Sequence, residues 1–322
     1  MIKLVWRTDA HLADHPPQSR IDDWTSTILG KLAQVGDIAT KVGAVAVLDG
    51  GDSFHVKSPV RNTHELMQRV AGVHQKYPCP VWSNVGNHDV KYGDIRNLNQ
   101  SPLGVLFKTG VYHRLYDGYE ALFEDEKSRM KVRVVGIPYH SSTYDMNRFT
   151  TITKGDMDED YLVVVAHCLA SAEDYPMFVG EDIIPYKFLA DLDPDVWCFG
   201  HWHQNQGVQE IRDGKWVVNI GGLSRGVFAQ QEMKRIPSCA VLSFGSKVDI
   251  EVIPLDVRPA EEVFDVAGRA RVEANAMVVE TFIDDLQKTL DPGSSVPLED
   301  QIRDSDAPAE VKERALSYLE NV

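Results

Sequence analysis

Along the first two-thirds of the chain, short β-branched runs alternate with stretches whose apolar residues recur every three or four positions. Such runs, bounded by Gly, Asp or Asn, read as buried strands. They fall at Ile2–Arg7, Ala44–Leu48, Val81–Val85, Lys131–Gly136, Leu162–Ala166, Val196–Phe199, Lys215–Ile220, Ala240–Phe244 and Val248–Ile253. Between them, Asp22–Ile38 sets Trp24, Ile28, Leu32 and Val35 on one helical face, and Thr63–His74 also reads as a helix. After Ile220 the pattern is all-β in character. This order predicts an α/β fold with a mixed sheet, or with two packed sheets flanked by helices.

Near Pro259 the pattern changes, which divides the chain into 1–257 and a charge-rich helical region, 258–322. In the latter, Val279, Phe282, Ile283, Leu286 and Leu290 form a helical stripe, and DPGSS (Asp291–Ser295) ends it. The closing stretch offers Ser305 or Asp306 as a cap, Pro308 in the first turn, and a stripe of Val311, Ala315, Leu319 and Val322.

Charge and composition narrow the picture. A formal net charge of −15 over 322 residues argues against a free-standing nucleic-acid binder held by a basic surface. An enzyme acting on nucleic acid stays open, because metal ions can neutralise phosphate and a partner subunit can supply basic surface. No apolar run is long enough to cross a bilayer, and the start, MIKLVWRTDAH, reads as a strand rather than a signal peptide. The four cysteines are scattered and read as reduced core residues. A cytoplasmic protein without membrane contact is expected, in the host cytoplasm if the chain is phage-encoded.

Candidate chemistry gathers at the strand ends, where α/β folds collect their sites. Five blocks stand there: TDAHL (Thr8–Leu12), GGDSFH (Gly50–His55), GNHD (Gly86–Asp89), AHC (Ala166–Cys168) and GHWH (Gly200–His203). Singly, each has a bland reading as a polar strand end, a turn or a core residue. Together they offer Asp9, His11, Asp52, Asn87, His167, His201 and His203, all oxygen or imidazole donors. Seven donors exceed the four of a tetrahedral site and suit two ions about 3.5–4 Å apart, bridged by a shared carboxylate. Asp52 is the natural bridge. In extended backbone, residues two apart lie on one side at roughly 6.5 Å, which would aim Asp9 with His11, and His201 with His203, into one cavity.

The same blocks, in this order over about residues 1–255, resemble the calcineurin-like metallophosphoesterases. The resemblance implies an αββα fold of two packed mixed sheets, with a small helical C-terminal region. It also implies one ion on Asp9, His11, Asp52 and His203 and another on Asp52, Asn87, His167 and His201. His88 would then assist catalysis near the scissile phosphate. Within the family, GGDSFHVKSPVR, with His55 three residues after Asp52, is similar to SbcD-type nucleases of double-strand-break repair. So are SPLGVLFKTGVY and the helical tail, most closely in phage-type versions. N-H-D stands where cellular members commonly have N-H-E.

That resemblance implies an exo- or endonuclease of DNA repair and recombination that uses two divalent ions, Mn²⁺ first, with Fe, Zn or Mg also admissible. The implied partners are DNA, an SbcC-type coiled-coil ATPase docked through Val311, Leu316 and Leu319, and a second copy in a homodimer. His55 would orient phosphate, and Arg225 of GGLSRG could reach a backbone phosphate or form a surface salt bridge. Two alternatives remain: a stand-alone phosphoesterase for small phosphodiesters or phosphoproteins, and a non-catalytic scaffold subunit.

Overall fold

A computed structural model describes the chain apart from residues 18, 56–61, 156, 173–179, 267, 269–296, 306–307 and 320–322. The stripe expected between Val279 and Leu290, the DPGSS break, Asp306 and Val322 lie outside the described residues. The chain forms two compact units, Met1–Val263 and Phe264–Val322. In the second, Leu298–Asp304 and Ala309–Leu319 are helical.

In the first unit the strands are β1 (Ile2–Arg7), β2 (Ala46–Asp49), β3 (Val81–Ser83), β4 (Tyr112–Arg114), β5 (Glu120–Glu124), β6 (Lys131–Ile137) and β7 (Tyr161–His167). They continue as β8 (Ala170–Ser171), β9 (Ile184–Pro185), β10 (Val196–Gly200), β11 (Gly207–Arg212), β12 (Lys215–Asn219), β13 (Ser238–Phe244) and β14 (Val248–Pro254). One sheet runs β14-β13-β1-β2-β3-β4 and a second β11-β12-β10-β7-β6-β5, while β8 pairs with β9. Both large sheets are mixed. β1 to β4 pair in parallel, as do β6, β7, β10 and β12, with antiparallel strands at the margins.

Alternation along each strand builds the layers. Leu4, Trp6, Ala46, Leu48, Val163, Val165, Val196, Cys198, Ala240 and Leu242 fill one core, which joins the facing sheets. Their neighbours point the other way. Val5, Val47 and Val241 meet Trp24, Ile28, Leu32 and Val35 on one side, while Val164, Ala166, Trp197 and Phe199 pack with Phe149, Tyr186 and Leu189 on the other. A period of two on doubly buried strands therefore yields helix, sheet, sheet, helix.

Helix α1 runs Trp24–Val42, capped by Asp23, whose carboxylate accepts from the Ser26 N–H at 2.9 Å. It passes the end expected at Ile38, because Gly36 and Asp37 are interior positions here. A Cβ on Gly36 would come within 2.7 Å of the Tyr77 ring, so this glycine makes room for a neighbour. The stop is Gly43, left-handed at φ 67°. Helix α2, His64–His74, starts one residue later than expected, with Thr63 as its cap. Sequence reading missed β4, β5 and β11, whose residues alternate poorly, and the helix Pro102–Lys108, which opens on a Ser101 cap and a first-turn proline.

Beneath the strand ends lies a buried polar network. Arg7 donates to Asp49 Oδ2, to the Tyr77 and Tyr112 hydroxyls and to His74 Nε2, at 2.8 to 3.0 Å. His74 Nδ1 donates to the Val70 carbonyl, which leaves Nε2 as acceptor for Arg7. Burial and the Arg7 guanidinium push His74 down to about 3. The folded chain thus keeps this imidazole neutral where the unfolded chain protonates near pH 6.5. Its contribution is fully present above pH 6.5 and is lost as pH falls from there toward 3, by up to ~1.4 kcal/mol per pH unit. Urea unfolding of wild type and His74→Gln from pH 7 to pH 4 should show the steeper decline in wild type. Parallel curves would remove His74 from the acid response.

Candidate metal centre

The five blocks converge where β1, β2, β3, β7 and β10 end. They do so by a different local geometry from the one expected. Asp9, His11, Asp52 and His201 lie beyond their strands with φ of 53°, 48°, 50° and 87°. These are left-handed values that non-glycine residues hold at a cost of about 1–3 kcal/mol each. Strand alternation therefore does not aim Asp9 with His11, or His201 with His203. Tight left-handed turns do; the first is held by Asp9 N–H on Gly51 O (3.1 Å), His11 N–H on Asp52 O (2.9 Å) and Leu12 N–H on Ser53 O (2.8 Å), the second by His201 N–H on the Asp9 carboxylate (3.1 Å).

Six of the seven expected donors fall into two groups, and a third set of ligating atoms joins His11 to His55 and His88. Ligating atoms of Asp9, His11 and His203 lie within 4.8 Å of one another, as do those of Asp52, His167 and His201. Asp52 Oδ2 is 3.4 Å from His167 Nε2 and 3.7 Å from His11 Nε2, so it stands between the groups. Asn87 Oδ1 lies 3.3 Å from His167 Nε2. His201 and His203 thus share a site but face different halves of it, with Trp202 buried between them.

The electrostatics of these residues suit divalent cations. Burial alone would raise the Asp9 and Asp52 carboxyls, but the imidazoles, led by His203 and His167 respectively, hold both far below the usual range. Burial likewise opposes charge on His167, yet Asp52 carries it up to about 9. Among the described residues no Lys or Arg pairs with either aspartate, and the Nε2 atoms of His11 and His203 meet at 2.9 Å. Buried carboxylates and converging imidazole nitrogens without a basic side chain are the donor set that two divalent ions satisfy.

Other residues hold the donors in place. The Asp89 carboxylate accepts from the N–H groups of Asp52 (2.8 Å), Gly86 (2.9 Å) and Phe54 (3.2 Å), which ties GGDSFH to GNHD. A Cβ on Gly86 would collide with the Asp52 carboxylate. The GGLSRG loop lies behind the other half: Leu223 N–H donates to Thr8 O, Ser224 N–H to Asp9 O and Gly222 N–H to His203 O. Its own carbonyls accept from buried basic side chains, Gly222 and Ser224 from Arg235, Leu223 from Lys31 and Arg225 from Arg20.

Arg225 departs from both expectations. It is buried at 4% exposure and its Nη2 donates to the Arg258 carbonyl, so neither a substrate phosphate nor a surface salt bridge holds it.

At the mouth, the His55 and His88 rings stack at 5.4 Å, and both stand edge-on to His11. His88 donates its backbone N–H to Asp52 Oδ1 and its Nδ1–H to the His55 carbonyl. Sequence reading missed Tyr139, whose ring is 5.5 Å from His201, and Glu181, whose carboxylate meets His201 Nε2. Both are single residues in irregular segments, without a motif to mark them.

A model of the calcineurin-like phosphoesterase family matches residues 8–205, a span that includes every one of these blocks. The chain belongs to that family. Family membership makes it a metal-dependent phosphoester hydrolase in type, with two divalent ions as the family's cofactors. Among solved structures, a dimetal phosphatase from Danio rerio aligns at 11% identity and a TM-score of 0.50, covering 79% of this chain and 96% of that one. TT1561 of Thermus thermophilus aligns at 11% identity (TM-score 0.45; 78% and 98% covered). GAP50, the anchor in the inner membrane complex of Plasmodium, aligns at 12% (0.46; 80% and 90%). The likeness to the Danio rerio phosphatase speaks to the fold alone. A search of curated proteins finds no match to the sequence. Among the described residues, no helix is long and apolar enough to cross a membrane.

The Asp89 anchor gives a direct test. Asp89→Ala strips the acceptor from three N–H groups in the site loops and should lower the free energy of unfolding by about 3 kcal/mol or more. Urea denaturation of the metal-free protein measures it. A loss under about 1 kcal/mol would mean that the two loops hold their geometry without this carboxylate.

Proposed function

We propose that the protein is a two-metal phosphodiesterase acting on DNA, the nuclease subunit of an SbcCD-like repair and recombination complex. The observation that carries the reading is His55. The histidine of the GGDSFH block stacks on His88 beside His11, at the open side of the two donor groups. Asp9, His11, Asp52 and His203 would hold one ion, and Asp52, Asn87, His167 and His201 the other. When bound, such ions neutralise phosphate oxygens and activate water for in-line attack. Mn²⁺ is the first choice, and Fe, Zn or Mg fit the same donors.

The chain's own residues supply the rest. His88 has Nδ1 committed to the His55 carbonyl, so its Nε2 is the nitrogen available to protonate the leaving oxygen. His55, exposed at the rim, orients the phosphate. Half-buried Val311 and Leu316 on the helix Ala309–Leu319, together with Leu319, would dock a coiled-coil ATPase whose basic surface brings DNA to an acidic subunit. Residues 300–322 deleted without loss of ATPase-subunit binding would refute that docking.

A second reading, a stand-alone phosphoesterase for small phosphodiesters or phosphoproteins, is favoured by the net charge of −15. Mn²⁺-dependent turnover of linear double-stranded DNA, set beside an aryl phosphodiester, separates the two. The nuclease reading expects DNA cleavage, and His88→Ala should lower kcat by about 10²- to 10⁴-fold with both ions still bound. Turnover of the aryl ester with no DNA cleavage, alone or with the ATPase subunit, favours the second reading.

A further inference from the structure

We propose that Glu181 is a positioning residue for the metal centre, holding the Nε2–H of His201 so that this histidine offers Nδ1 to its ion. The proposal rests on the two-metal reading of the site and concerns the half formed by Asp52, His167 and His201.

An imidazole gives one lone pair to a metal, and its other nitrogen is then an N–H that needs an acceptor. A carboxylate in that place fixes the ring and makes it a stronger donor. His167 and His201 meet this requirement in opposite senses. His167 commits Nδ1–H to the Gly50 carbonyl at 2.8 Å, and its Nε2 faces Asp52 and Asn87. His201 instead has Nε2 at 3.0 and 3.1 Å from the two oxygens of Glu181. A carboxylate accepts, so Nε2 carries the proton and Nδ1 is the nitrogen left for a metal. The backbone agrees with that choice. His201 N–H lies 3.1 Å from the Asp9 carboxylate, so the main chain itself is inside the site and the nearer ring nitrogen suffices.

Glu181 is held as firmly as the histidine it serves. The Tyr144 hydroxyl donates to its Oε1 at 2.7 Å and accepts the Leu169 N–H at 2.8 Å. Next to it, the Asp182 carboxylate accepts the Tyr144 N–H at 2.9 Å, and Asp182 N–H donates to the Ser142 carbonyl at 2.8 Å. The chain of bonds therefore starts at the Leu169 N–H, two residues after His167, and ends on the His201 ring. A carboxylate recruited only for surface solvation would need none of it.

Metal binding tests this without reference to turnover. Mn²⁺ titration followed by electron paramagnetic resonance should give two equivalents in wild type. In Glu181→Ala one equivalent should weaken by about 10- to 100-fold while the other keeps its affinity. Glu181→Gln, whose amide oxygen still accepts, should fall between, and Tyr144→Phe should weaken the same equivalent less. In the Zn²⁺-loaded protein, nitrogen-15 spectra of His201 should show Nε2 protonated and Nδ1 metal-bound. Wild-type affinity at both equivalents in Glu181→Ala, or His201 bound through Nε2, overturns the proposal. So does an equal loss of both equivalents with a lowered melting temperature, which marks a purely structural role. A wild-type protein that takes up fewer than two ions refutes the two-metal reading itself, and the proposal falls with it.

Discussion

The two sheets can share a site because their strand ends meet without side chains in the way. Gly50, after β2, and Gly200, at the end of β10, both approach the Thr8 hydroxyl so closely that a Cβ on either would run into it. That hydroxyl donates to Asp9 Oδ2 at 2.6 Å, so the same atom that sets the spacing of the sheets also orients a donor. Gly200 further lies close to His167 Nδ1 and the Gly50 carbonyl. Any residue larger than glycine at these points would wedge the sheets apart at the edge where Asp9, Asp52, His167 and His201 converge. Core packing between the sheets and donor geometry are thus one constraint.

Much of this was legible in the chain. Doubly buried strands such as Ile2–Arg7 and Leu162–Ala166 announce themselves by unbroken apolar runs, which fit a mixed sheet or two packed sheets alike; the αββα layering is what the family resemblance implies. The donors were legible because five short blocks follow strand ends, each with residue types that bind metal. What stayed hidden depends on contacts distant in sequence. Asp89 looks like one more polar turn residue until its carboxylate is seen against three N–H groups. Arg225 looks available because its neighbours are glycine and serine, whereas the folded loop turns it inward. Glu181 and Tyr144 have no local pattern at all, since their partners lie 20 to 37 residues away. The left-handed turns at Asp9, His11 and His201 could not be read either, because none of the three is followed by glycine.

Charge is also arranged differently from what the total suggests. The chain is acidic, yet behind the Asp9 half it buries Lys31, Arg20, Arg225 and Arg235 in one cluster. Asp22 and Glu232 offset part of that charge by pairing with Arg20 and Arg235. Loop carbonyls take the donors directly, which is how buried cations are accommodated. Opposite this, the Asp52 half is backed by Asp89 and by Glu181. The two halves of one centre therefore rest on different kinds of side chain, basic ones behind Asp9 and carboxyl groups behind Asp52.

The left-handed turns also limit which residues these positions can hold. Four of the donor positions, 9, 11, 52 and 201, combine two demands, a metal-binding side chain and a backbone that most residues resist. A descendant that gave up the ions would be released from the first demand and not from the second. Glycine and asparagine satisfy the backbone without ligating strongly, so a lineage drifting away from catalysis should collect those two residues at these positions while the sheets stay intact. Aspartate and histidine at all four keep metal-binding side chains on backbone that most residues resist.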